Sequence, residues 1–318
     1  MEPLLDIESD SRLILFPIVH ADIWAIYKTM LACHWAVEEA DLSTDVSDWT
    51  SKMTSDERHF VSHILAFFAS SDAIVMENLS TNFAKEVAYP EARMAYAAQS
   101  FFETVHAESY GILIDTIISS TEEKQKLFQA IRTMPAVSKK ARWAEKWISS
   151  DQSFATRLFA FAVVEAVMFS ASFCSIFWLK TRGLMPGLAF LNSLISRDEG
   201  LHVNFAALLY SKHLNTRLSD ERAHEIIREA VDIEIEFVTK ALDVRVIGMN
   251  ATLMVEYVRY VADHLLGIMG HPIVYNATMP FEFMNNISVG NKSNFFEARV
   301  SEYSKAQCPR EFETTEDF

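Results

Sequence analysis

The chain has 318 residues, is 50% hydrophobic, and sets 28 basic against 43 acidic side chains, a formal charge of −15. That length and apolar content can fill one large core, while a strongly acidic balance argues against nucleic-acid binding, which draws on a basic stripe. The start, MEPLLDIESD, lacks the apolar stretch of a secretory signal, and the scattered Cys33, Cys174 and Cys308 read as free thiols of a reducing, cytoplasmic compartment rather than a disulfide framework or zinc site.

With only 8 Gly and 8 Pro and no alternating strand pattern, the chain reads as all-α. The first helix is expected over 20–40. Thr54 and Glu57 make a capping box that opens a second over 55–85. Within it, ILAFFASSDAIVMENL (64–79) places Asp72 among Phe67, Phe68, Ile74 and Val75. The helix over 90–119 includes AYAAQSFFETVHAESYGILIDTII (95–118), where Glu103 and His106 are three residues apart and Tyr110 follows on the same stripe. Shorter helices over 121–133, opened by Ser120 and Glu123, and over 135–149 come next.

The helix over 152–181 contains LFAFAVVEAVMFSASFCSIFWL (158–179), whose one charge is Glu165. Its length would span a bilayer, but a mid-span carboxylate is costly in lipid, and no other segment looks comparably apolar and long. It reads as the central helix of a bundle, not a membrane anchor. Gly183-Leu184-Met185-Pro186 then stops one helix and starts the next, over 186–214. There LAFLNSLISRDEGLHVNFAALL (188–209) clusters Asp198, Glu199 and His202. Helices over 219–243 and 251–270 complete the set, and the pattern weakens after 271. From Gln307 the polar, acidic QCPREFETTEDF reads as a disordered tail. A helical domain over 1–290 and a tail over 291–318 are expected.

Burying an unpaired carboxylate costs several kcal/mol, so such groups persist only when paired or metal-bound. Here two helices give one carboxylate each, Asp72 and Glu165, and two give Glu-x-x-His, as Glu103/His106 and Glu199/His202. Four carboxylates and two imidazoles from four helices are the donor set of ferritin-like dinuclear bundles, and they suit Fe or Mn. Glu221 and His224 repeat the spacing in a helix charged on most faces and are assigned to solvent. The competing reading is buried salt bridges, although 158–179 offers no cation. Tyr110 is either a phenol beside an oxidising metal pair or a core tyrosine. Phe169 and Phe173, four and eight residues after Glu165, either wall that site or simply fill the core. Asp198 either accepts from a ligand histidine or pairs with Arg197.

The blocks HWAVEEADLS (34–43), HILAFFASSDAIVMENL (63–79), FETVHAESY (102–110), FAVVEAVMFSASFCSIFWLKTRGLMPGL (161–188), LISRDEGLH (194–202) and NFFEARVSEY (294–303) resemble the small subunit of class I ribonucleotide reductase, of the eukaryotic and large-DNA-virus type. The resemblance implies a ferritin-like bundle with additional helices. It implies two Fe ions per subunit, oxo- and carboxylate-bridged, with Mn as the alternative. One ion is held by Asp72, Glu103 and His106 and the other by Glu165, Glu199 and His202. It implies a tyrosyl radical on Tyr110 in an apolar pocket of Phe169, Phe173 and Ile195. Trp35, Asp198 and His106 form an electron and proton path, Tyr303 passes the radical on, and Glu297 assists. The implied oxidoreductase makes deoxyribonucleotides for DNA synthesis, using O₂ and an electron donor, as a homodimer whose residues 312–318 dock on the large catalytic subunit. The chain departs from the family pattern at Cys33-His34, an otherwise aromatic position, at Ala40, an otherwise branched one, and at Thr314, which replaces a tail leucine. A ferroxidase with the same six ligands, or a non-catalytic paralogue, is the alternative.

Overall fold

The computed structural model describes residues 2–6, 12, 14–149 and 151–284, with the backbone alone at 72, 73, 80 and 81. The tail expected over 291–318, with Glu297, Tyr303 and 312–318, lies outside the described residues.

Among the described residues every regular element is helical. The principal helices are α1 (Ala21–Ala32), α2 (Ser43–Ser51), α3 (Ser55–Asn78), α4 (Pro90–Ile117), α5 (Pro135–Ile148), α6 (Phe154–Thr181), α7 (Pro186–Leu208), α8 (Asp220–Glu236) and α9 (Ala251–Met269). Helices α3, α4, α7 and α6 close a four-membered ring, each packed on the next, and α5, α8 and α9 cover the outer side of α6. That is why α6 can be apolar on all faces: every residue from 154 to 177 is buried. It is a core helix, as its mid-helix charge suggested. A correction follows for the sequence reading, because α3 is also long and apolar enough to cross a membrane.

The capping box at Thr54 and Glu57 forms in both directions, and Pro186 occupies the first turn of α7. Two expectations fail near the N-terminus. The helix expected to reach residue 40 ends at Ala32, and Ser43–Ser51, rich in β-branched and capping residues, is helical nonetheless. Tertiary contacts override propensity there. Asp45 and Asp48 point inward from α2, fully buried. Asp45 accepts from the N–H groups of Gly187 and Leu188 at 2.8 and 2.7 Å, and Asp48 accepts from Met185 at 2.9 Å. They serve as the N-terminal cap that α7 lacks in its own sequence, where Met185 is left-handed and caps nothing with its side chain. The approach is close: a Cβ on Gly187 would sit 2.5 Å from the Asp41 carbonyl oxygen.

Helix α7 is therefore started by α2. Asp45→Ala is expected to cost about 1–2 kcal/mol, lowering Tm by roughly 2–4 °C, with Asp45→Asn closer to the parent. Thermal unfolding followed by circular dichroism checks this, and an unchanged Tm for the alanine variant would remove the capping role.

Candidate metal centre

Helices α4, α6 and α7 each turn an acid into the closed ring. Glu103 and His106 lie one turn apart on α4, as do Glu199 and His202 on α7. Glu165 lies in a π-helical turn, Val164–Met168, within α6. All five side chains are buried, at 0–1% exposure. Ligand atoms of Glu103, Glu165, Glu199 and His202 lie within 4.8 Å of one another. His106 Nδ1 joins them, 3.2 Å from Glu199 Oε1 and 3.5 Å from Glu103 Oε2. Asp72 is carried by α3, whose backbone packs along α4, but its side chain lies outside the described residues.

The electrostatics exclude ordinary salt bridges. Among the described residues, the groups at ion-pair distance from these three acids are the two imidazoles, with no Lys or Arg. Burial pushes the Glu165 carboxyl well above the usual range, and nearby Glu199 and Glu103 add to the push against His202. Glu103 falls to about 2 despite burial, because the His106 and His202 imidazoles lie against it. His202 rises to about 10 against its burial, through Glu103 and Glu199, and His106 rises well above its ordinary value through Asp198, Glu103 and Glu199.

Protons on the imidazoles are poor compensation. Both Glu103 oxygens, Glu165 Oε2, His106 Nδ1 and His202 Nε2 are buried without a hydrogen-bond partner. Each such atom costs about 1–3 kcal/mol. Several of the groups crowd together at 3.0–3.9 Å without hydrogen-bond alignment. That arrangement suits ligands aimed at shared centres rather than at each other. Hard oxygens with two imidazoles fit a dinuclear Fe or Mn site.

Trp35, Asp198 and His106 form one connected group. Asp198 Oδ2 accepts from Trp35 Nε1 at 2.6 Å and faces His106 Nε2 at 3.4 Å, while its other oxygen accepts from Arg197. Asp198 thus contacts both His106 and Arg197. Arg197 also donates to the Cys33 carbonyl at 2.7 Å, anchoring the loop that presents Trp35. The Trp35 and His106 rings stack at 6.1 Å. Tyr110 is 2% exposed. The ring it stacks on is Phe68, at 4.7 Å and 7°. Phe173 and Phe169 then lie 4.8 and 5.5 Å from Phe68. Ile195 is buried on α7, one turn before Glu199. The decoy behaves as expected: Glu221 is exposed and His224 bonds the Pro272 carbonyl.

Two residues escaped the sequence reading. Phe68, one turn before Asp72, is indistinguishable in sequence from any apolar core residue. Gln99, one turn before Glu103, donates to Glu165 Oε1 at 2.9 Å. A lone amide in the apolar run AYAAQSFF was the available signal. Cys33 and Cys174 are free and buried, while Cys308 lies outside the described residues.

Residues 12–281 match the family described as "Ribonucleotide reductase, small chain". The chain is 54% identical over 305 residues to the ribonucleoside-diphosphate reductase small chain of Trypanosoma brucei brucei, covering 96% of this chain and 90% of that one. It is 53% identical to that of Variola virus, covering 96% and 95%. Among solved structures, the ribonucleotide reductase Rnr4 homodimer of Saccharomyces cerevisiae superposes with a TM-score of 0.83 at 35% identity, covering 96% of this chain and 93% of that one.

The raised imidazoles predict a pH dependence of metal binding. Metal needs them neutral, whereas the surrounding acids favour the protonated imidazoles in the metal-free site. Loading is expected to release about two protons or more, and affinity is expected to weaken as pH falls. Calorimetric Mn(II) titration in buffers of different ionisation enthalpy counts those protons, and a count near zero would argue against these ligands.

Proposed function

The chain belongs to the ribonucleotide reductase small-chain family, and from that premise we propose that it is the radical-generating small subunit of a ribonucleoside-diphosphate reductase. The observation that carries the reading is a cluster of buried acids and imidazoles with no Lys or Arg at ion-pair distance among the described residues, in the same bundle as a 2%-exposed tyrosine.

On this reading Asp72, Glu103 and His106 would hold one metal ion and Glu165, Glu199 and His202 the other. The metal is iron on the donor chemistry and family, with manganese as the competing occupant. Bound iron would supply one-electron oxidising power drawn from O₂. The protein's own residues supply position and dryness. Asp198 accepts from His106 Nε2 and so leaves Nδ1 free for the metal side. Tyr110 gives up its phenolic hydrogen, one electron and one proton, and becomes the stored radical. Phe68, flat against the Tyr110 ring, with Phe169 and Phe173 behind it, keeps water and reductants away. Trp35, hydrogen-bonded to Asp198 and stacked on His106, is the route by which an electron and a proton move between the buried site and the surface. Tyr303, aided by Glu297, passes the radical to the large catalytic subunit, on which residues 312–318 dock. The working small subunit is a homodimer. Ile195 completes the apolar wall on α7.

A ferroxidase built on the same six ligands would use neither Tyr110 nor the tail. Aerobic reconstitution with Fe(II) is expected to give a tyrosyl EPR signal that Tyr110→Phe abolishes. A tyrosyl signal surviving in that variant would sink the assignment. Removing 312–318 is expected to leave the radical intact and to abolish nucleotide reduction with the large subunit. Retention of that activity would refute tail docking.

A further inference from the structure

Outside the metal cluster, one buried ion pair stands out. Lys140 on α5 and Glu234 on α8 are 3% and 0% exposed and in direct contact. The Lys140 ammonium lies between two aromatic faces, 3.7 Å from the centre of the Phe67 ring and 3.8 Å from that of Phe237. Its nitrogen also donates to the Met168 carbonyl at 2.8 Å. Met168 is the last residue of the π turn Val164–Met168 that carries Glu165.

We propose that the Lys140–Glu234 pair positions Glu165 by pinning the end of its π turn. This rests on the reading of Glu165 as a metal ligand. A π turn inserts an extra residue and shifts backbone groups from their α-helical partners, so its shape must be held by other contacts. Here two side chains hold its end, Lys140 at the Met168 carbonyl and Ser170 Oγ at the Val167 carbonyl, 2.7 Å away. A cavity of about 20 Å³ also borders the turn, lined by Lys140, Val164 and Met168 among others. Glu234 and the two rings in turn fix the ammonium. Through them α5, α8 and α3 all bear on one carbonyl of α6.

A purely stabilising role explains the pair poorly. Burial draws the Lys140 pKa down and pushes that of Glu234 up, the mark of charges that are costly to hold there. Apolar side chains of similar volume in place of a buried pair are often neutral or stabilising. What they cannot do is donate to Met168.

The test is the full-length double variant Lys140→Met/Glu234→Leu, which leaves net charge unchanged. Mn(II) is titrated in and the free ion is counted by EPR. The parent is expected to bind two ions. The variant is expected to keep the parent's Tm within a few degrees and to bind one ion at least tenfold more weakly, the scale of lost outer-sphere support. Amide exchange at 164–171 is expected to quicken by a similar factor. Parent-like affinity and exchange would overturn the proposal. If that variant fails to fold, Lys140→Gln/Glu234→Gln decides. It keeps a donor for Met168 and must bind within a few-fold of the parent, and a tenfold loss there would overturn the idea. A parent chain that binds no metal would overturn the metal reading and this inference with it.

Discussion

Three carboxylates meet in the interior of this chain, with no Lys or Arg among the described residues to neutralise them. Everything else in the bundle can be understood as the consequence of that crowding. In a dry interior such acids repel, and the protein alone answers only by protonating two imidazoles and leaving buried oxygens unsatisfied. Two divalent cations resolve the conflict in one step, since they neutralise the charge and give each lone pair a partner. Metal binding and the stability of the core are then one and the same problem.

The surrounding fold looks arranged to hold that arrangement still. Glu199 and His202 lie on a helix started by the two buried aspartates of α2. Gln99 fixes one oxygen of Glu165 from α4. Asp198 fixes the far nitrogen of His106 and is itself held by Trp35 and Arg197. Each contact joins elements distant in sequence, so the precision of the site comes from the whole bundle rather than from any one segment.

This explains which parts were legible beforehand. The clustered acids stood out because a carboxylate inside an apolar helical run is expensive, and Glu165 in 158–179 is the plainest instance. Helix type and order followed from periodicity and from few breakers. The outer contacts were not readable. Gln99, Phe68 and Asp45 become meaningful only when another helix is brought against them, and no local pattern encodes that partner. The helix Ser43–Ser51 was hidden for the same reason, since its purpose lies at residues 185–188. The π turn at Glu165 was hidden because the sequence VEAVM reads as ordinary helix.

The burial of Tyr110 has a further consequence. At 2% exposure, its ring stacked on Phe68, it cannot touch a substrate directly. The sequence carries no glycine-rich phosphate loop and a net charge of −15, a poor host for a nucleotide of the same sign. An oxidant stored in such a place is useful only if its equivalent can be moved. The hydrogen-bonded run from Trp35 through Asp198 to His106 crosses from the loop after α1 to the metal cluster. Dryness would protect a radical held there and also isolate it, so such a radical would need a conducting path and a partner that holds the substrate.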